Sequence, residues 1–281
     1  MTLRHIAVFE YGGESIHYAQ RGSGSRVVIF LHNLGSSRLI WEPAIAGLDD
    51  RFTAYALDFP GYGDSPLTTE PSIDRLVEIL EGFVAEIGAE RIDLVGNCVG
   101  SAVSLLFAER HPSTVGSMVL FNPATAATLA PTPLGVLARL AARNVFPHRL
   151  LRALALPKPI ADAIVWAQTG TGRVAASNAA TRERLRDLWT DKGRILPMAG
   201  IAAAVAVPFE RIDRMSPDVF ADINVQMIWG ERNKVLSAKA GRELAHRLGI
   251  PYLGLPTAGH LAMLETPPEE IDDILRATLT P

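Results

Sequence analysis

Short continuous apolar runs alternate with helix-period stretches along most of this chain, and that alternation leaves few folds open. Val27 to Leu31 is apolar throughout and bounded by Gly24 and His32, which is how a strand covered on both faces of a parallel sheet reads. Thr53 to Asp58, Ile92 to Val95, Ser117 to Phe121, Gln226 to Trp229 and Tyr252 to Leu255 are read as further strands. Ile6 to Phe9 and Ile16 to Gln20 form two more around a Gly12-Gly13 turn. Between strands the period changes. Ile73, Leu76, Val77, Leu80, Val84 and Ile87 recur every three or four residues behind Ser72, an N-cap, and Gly88 stops them. Further helices are predicted from about Cys98 to Arg110, Ala238 to Leu248 and Pro268 to Leu279. Such an order predicts an α/β fold: a mostly parallel central sheet flanked by helices.

The stretch from Ala124 to Asp218 breaks the alternation. It holds helix-like patterns (Leu134, Leu137, Leu140 and Ala141; Leu150 to Leu156; Leu185, Leu188 and Trp189), is cut by eight prolines, and has no strand run. A crossover between parallel strands needs only one helix. The stretch is therefore read as an inserted helical cap at 124–218, with the core split into 1–123 and 219–281.

Composition narrows the function classes. Twenty-seven basic side chains against 30 acidic ones leave a net charge of −3, which argues against a nucleic-acid partner. Met1 to Tyr11 has no apolar signal core, and the longest apolar run, Ala199 to Phe209, is too short to span a bilayer. The expectation is a cytoplasmic protein with no membrane partner. One cysteine excludes an intramolecular disulfide and a zinc site of several thiolates. No His or carboxylate cluster has metal-ligand spacing and no glycine-rich phosphate loop opens a helix, so neither metal nor cofactor is expected.

A lone cysteine is usually a small buried hydrophobe, but this one has a particular setting. Leu94-Val95-Gly96-Asn97-Cys98-Val99-Gly100-Ser101 runs from a strand into a helix with no loop between. A turn that sharp strains the backbone of its central residue, and the residues two away on either side must lack side chains. Cys98 then lies at a helix N-terminus, where the dipole favours thiolate.

Gly-x-Cys-x-Gly matches the nucleophile elbow Gly-x-Ser-x-Gly with Cys in place of Ser. Four more segments follow strands in the same order: Phe30-Leu31-His32-Asn33-Leu34-Gly35-Ser36, Leu57-Asp58-Phe59-Pro60-Gly61-Tyr62-Gly63-Asp64-Ser65, Ile228-Trp229-Gly230-Glu231-Arg232-Asn233 and Thr257-Ala258-Gly259-His260. Together they resemble the α/β-hydrolase family over nearly the whole chain outside the insertion. The resemblance implies that Cys98 is the nucleophile and His260 the general base. It implies backbone oxyanion donors at Val99 and Leu34, with Asn33 as the alternative to Leu34. Asn33 stands where the family usually has glycine; Asn tolerates a left-handed backbone, and its amide is a candidate substrate contact. Trp41 and Asn122 are further candidate substrate-binding residues, and Asp58 is read as structural. Leu134, Leu137, Leu140, Trp166, Phe209 and Met215 are candidates for a pocket lining or for packing the cap on the core. Arg143, Arg149 and Lys158 are candidates to meet an anionic substrate group.

The third triad member departs from the pattern. The family's acid stands a few residues after Trp-Gly or at the end of the strand at 117–121, and here those positions hold Asn233 and Asn122. A thiol ionises more readily than a hydroxyl and needs less help from a carboxylate, and an Asn carbonyl can accept from the imidazole, as in Cys-His-Asn proteases. The expected function is acyl-type chemistry on a small-molecule ester or thioester, free or carrier-bound, by an esterase, thioesterase or acyltransferase. Two alternatives stay open: a lyase or eliminating enzyme of specialised metabolism on the same fold, and a non-catalytic ligand-binding relative.

Overall fold

A computed structural model describes residues 5–70, 72–133, 135, 136, 139, 155–170, 179–190 and 205–279. Eight strands form one sheet: β1 (His5–Tyr11), β2 (Glu14–Arg21), β3 (Arg26–Leu31), β4 (Phe52–Leu57), β5 (Ile92–Asn97), β6 (Val115–Phe121), β7 (Asn224–Gly230) and β8 (Tyr252–Leu255). Their order across the sheet is β1-β2-β4-β3-β5-β6-β7-β8. β1 pairs antiparallel with β2, and β2 with β4; every other pairing is parallel. All eight predicted strands are present.

The principal helices are α1 (Ile73–Glu86), α2 (Val99–Arg110), α3 (Lys158–Ala167), α4 (Ala179–Thr190), α5 (Ala206–Asp213), α6 (Ala238–Leu248) and α7 (Pro268–Leu279). The Ser72 hydroxyl accepts the Arg75 amide at 3.1 Å and starts α1. Gly249, with φ 66°, ends α6. Side chains of the central strands alternate between two apolar layers. Ile29, Leu31, Leu94, Met118 and Met227 enter the layer shared with α1 and α2, whereas Val28, Phe30, Val95, Val119 and Ile228 enter the layer shared with α7. That explains the unbroken apolar runs: both faces are covered.

Between β6 and β7 the described residues form helices and no strand. Phe209, Ile212 and Met215 are buried in the same layer as α2, and Leu185 and Trp189 in the other. Among the described residues no helix is long and apolar enough to cross a membrane.

Asp58, just after β4, holds the sharp turns at one end of the sheet. It is fully buried, accepts the Arg38 amide at 2.7 Å and the Asp64 amide at 3.0 Å, and pairs with the buried Arg38 guanidinium. Its removal leaves the buried Arg38 guanidinium with Asp64 as its one remaining carboxylate and strips two turn amides of their acceptor. Asp58→Ala is therefore expected to lower unfolding free energy by about 3–5 kcal/mol, read as the urea midpoint. A midpoint unchanged within error contradicts the structural role of this carboxylate.

Candidate active site

The elbow is built as the sequence requires. Cys98 has φ 55° and ψ −108°, a left-handed conformation costly for a residue with a side chain. A Cβ on Gly96 would stand 2.5 Å from the Gly100 carbonyl carbon and the Ser101 nitrogen, and one on Gly100 would overlap the Leu31 carbonyl. Backbone bonds secure the turn: the Cys98 amide donates to Phe121 O at 2.9 Å, and its carbonyl accepts Ala102 N at 3.0 Å and Ala124 N at 3.2 Å. The Ser101 hydroxyl ties the helix start to Phe121 O at 2.9 Å. The thiol itself departs from expectation. Burial pushes it up to about 12, against a smaller opposing pull from the Val99 amide. Desolvation outweighs the helix N-terminus, so the resting group is S–H.

His260 follows β8 and is 2% exposed. Its amide donates to Gln168 O at 2.8 Å, and its carbonyl accepts from Asn97 Nδ2 and Asn122 Nδ2, both at 3.2 Å. The ring meets Asn233: Nδ2 lies 3.1 Å from His260 Nδ1. Asn233 thus stands where an orienting residue would. The polarity of the contact is the reverse of the one expected. Asn233 Oδ1 already accepts the Val235 amide at 2.8 Å and the Leu236 amide at 3.0 Å. Turning the amide over would face NH2 against two N–H groups. The side chain therefore donates to His260, Nδ1 accepts, and the ring proton sits on Nε2. Burial alone pushes this imidazole down to about 3, so it is neutral. Among the described residues no hydrogen bond joins the Cys98 sulfur to His260.

The loop after β3 supplies the other wall. Both nitrogens of His32 serve the framework: Nδ1 lies 2.7 Å from Asn33 O, and Nε2 accepts the Phe59 amide at 2.9 Å. Asn33 is fully buried. Its Nδ2 donates to Leu34 O at 2.9 Å and Gln168 Oε1 at 3.2 Å, and its Oδ1 accepts Ser36 Oγ at 2.7 Å and Asn97 Nδ2 at 3.2 Å. Its amide is thus committed to the protein and does not reach for a ligand. The left-handed residue of this loop is Gly35, with φ 77°, not Asn33; a Cβ there would overlap the Trp189 ring of α4.

This constellation lies outside the carboxyl ends of β3, β5, β6, β7 and β8, where open α/β sheets place their ligands. A family model described as alpha/beta hydrolase fold matches residues 26–267. The chain belongs to the α/β hydrolase fold family. Over 131 residues it is 30% identical to a 2-hydroxy-6-oxononadienedioate/2-hydroxy-6-oxononatrienedioate hydrolase of Paraburkholderia phymatum, covering 44% of this chain and 46% of that protein. Over 112 residues it is 31% identical to the dihydrolipoyllysine-residue acetyltransferase component of the acetoin cleaving system of Cupriavidus necator, covering 40% of this chain and 30% of that protein. The match thus spans less than half the length of either relative. The crystal structure of the enol-lactonase from Burkholderia xenovorans LB400 superposes with a TM-score of 0.79 at 21% identity, over 98% of this chain and all of that one.

Of the other candidates of this α/β hydrolase chain, Asn122 adjoins the site through Asn233 and the His260 carbonyl, and the rest are engaged elsewhere. Trp41 is fully buried, its ring 5.5 Å from Phe30 and 5.8 Å from Phe121, so it packs beneath the loop. Asn122 is also fully buried and bonds to protein groups alone among the described residues. Glu231 accepts from Arg242 and, at 2.8 Å, from the Tyr252 hydroxyl, which keeps it off His260. Phe209 and Met215 pack into the core, while Trp166 is exposed beneath the Lys234 ammonium, 3.8 Å above its ring. Lys158 is exposed at the start of α3. Leu134, Leu137, Leu140, Arg143 and Arg149 lie outside the described residues.

Two groups escape sequence reasoning. Asn97 links the elbow to Asn33 and His260, and its only signal is its place inside the elbow. Gln168 belongs to no motif, yet its carbonyl holds the His260 amide and its side chain holds Asn33. Next to it, the Glu265 carboxylate brackets the Gly170 amide at 2.6 Å and the Gly259 amide at 2.9 Å, fastening the inter-strand segment to the histidine loop.

Proposed function

We propose that this α/β hydrolase performs acyl-type chemistry on a small ester or thioester, with Cys98 as nucleophile. Sulfur attacks the carbonyl carbon, and the oxyanion is received by the Val99 and Leu34 amides. The C–O or C–S bond to the leaving group breaks, and the proton lost from sulfur ends on that group. Water or a second acceptor then releases the acyl chain. His260 gives its Nε2 proton to the leaving group and takes the sulfur proton in exchange, so it ends as it began, and Asn233 fixes its ring. Residues 124–218 act as a cap over the site, with α4 lying on the oxyanion loop through Trp189 and Gly35.

The observation that carries this reading is the strained backbone of Cys98, φ 55°, with its sulfur at the Val99 amide. Strain of this kind persists where the surrounding structure holds it in place, and it clusters at sites of chemistry. The relatives' names point to a carbonyl or acyl substrate: one is a hydrolase of a hydroxy-oxo-dioate, the other an acetyltransferase component.

The test is pre-steady-state kinetics. Mixing the enzyme with excess chromogenic thioester is expected to release a burst of thiol close to one equivalent of enzyme, followed by a slower steady rate. Release that is linear from the first turnover, at a rate unchanged by Cys98→Ala, counts against a covalent intermediate.

One observation favours a second reading, elimination or another lyase reaction. Asn233 donates to His260 Nδ1, so the ring presents N–H to a substrate and water lacks a base. Turnover in 18O-labelled water separates the two: label in the product carboxylate supports acyl hydrolysis, and unlabelled product supports elimination.

A further inference from the structure

We propose that Asn122 is a positioning residue: its side-chain oxygen, with the backbone amides of Val235 and Leu236, locks the Asn233 amide as a donor to His260, so that the site offers its substrate a hydrogen-bond donor at Nε2 and not a base. This rests on His260 being a residue of the proposed site. It goes further in assigning a role to Asn122 and a proton to one ring nitrogen.

Asn122 follows the last residue of β6 with a left-handed backbone, φ 43°, although it carries a side chain. Its amide N–H donates to Ile228 O at 2.9 Å. That posture aims the side chain between β7 and the histidine loop. Oδ1 accepts the Gly230 amide and Asn233 Nδ2, both at 3.0 Å, while Nδ2 donates to His260 O at 3.2 Å. Turning Asn122 over would put N–H against N–H at Gly230 and oxygen against oxygen at His260. Both amides are therefore fixed in orientation, and the direction of donation runs from Asn233 to Asn122 Oδ1 and to the ring.

The arrangement selects what residue 233 is allowed to be. A carboxylate there would face the fully buried Asn122 Oδ1 as a second acceptor, and an acceptor left unpaired against a buried oxygen is costly. Asn122 and Asn233 fit each other, and neither fits a triad acid. Imidazolium is disfavoured in the same way, because an Nδ1–H would meet the Asn233 NH2.

The direct test is long-range 1H–15N correlation on the full chain with 15N-labelled histidine at pH 7, the His260 signals being assigned by their loss in His260→Asn. The expected pattern is neutral imidazole with the proton on Nε2. A proton on Nδ1 overturns the proposal. The second test compares turnover of an activated thioester by the wild type, Asn233→Asp, and Asn122→Gly with Asn233→Asp, glycine being chosen because it accepts positive φ. An amide in place of a triad acid lowers kcat by about 10⁴ through the wrong tautomer. Asn233→Asp alone is expected to gain less than about threefold, and the double variant at least about tenfold, with the ring proton moved to Nδ1. A full gain from Asn233→Asp alone removes Asn122 from the mechanism. If no variant shows a thiol burst while wild-type His260 carries its proton on Nε2, the acyl-enzyme reading fails and the tautomer assignment stands.

Discussion

Cys98→Ala is expected to lower turnover of a thioester by roughly 10⁴-fold or more, the scale at which nucleophile removal acts in covalent acyl transfer. The same change should leave the fold in place. The bonds that secure the elbow come from the Cys98 amide and carbonyl, and alanine keeps both. Cys98→Ser is expected to do little better than alanine. A hydroxyl depends on a base far more than a thiol does, and His260 has Nδ1 engaged by an amide donor and is pushed down to about 3. A serine variant with near-wild-type turnover contradicts this reading of the ring. Turnover and thermal unfolding of both variants, measured together, separate lost chemistry from lost structure.

The second large effect is on acid stability. His260 is neutral in the folded chain because burial lowers it from 6.5 to about 3. In the unfolded chain the ring takes a proton as pH falls through 6.5. Between these two values the unfolded state binds the proton and the native state does not, so stability falls with pH. Stability is fully present above 6.5, and the loss attributable to this ring reaches about 3 kcal/mol near pH 4. Burial lowers His32 as well, which adds a loss of the same sign. Urea unfolding of the wild type and His260→Asn at pH 7, 5.5 and 4.5 isolates the ring's share, since carboxylates contribute equally to both. The difference in unfolding free energy is expected to shrink, or reverse in favour of the variant, on acidification. A constant difference contradicts a buried neutral ring.

Much of the architecture is legible in the sequence, because it depends on local pattern. A sheet covered on both faces makes its strands uniformly apolar, so β3, β5 and β6 stand out. Gly96 and Gly100 are explained by atoms only a few residues away or on the adjoining strand. Placement of Asn233 beside His260 is legible too, because both follow strands that end at the same edge.

The direction of the Asn233 bond is not legible. It depends on which atom the Val235 and Leu236 amides take and on Asn122, more than a hundred residues earlier. The state of the Cys98 thiol depends on depth: the helix N-terminus is visible in sequence, while the desolvation that outweighs it is not. Trp41 follows the loop after β3 in sequence yet packs beneath it, against Phe30 and Phe121. Gln168 holds His260 through its backbone carbonyl, which any residue type possesses, and so leaves no trace in composition or spacing.

The most direct measurement is rapid-quench intact mass spectrometry with peptide mapping, on enzyme mixed with a panel of acyl thioesters and activated esters. One acyl group is expected per chain, located on the peptide that carries Cys98 and absent from Cys98→Ala. Product formation with no adduct at any quench time, or an acyl group on another residue that persists in Cys98→Ala, contradicts Cys98 as the nucleophile.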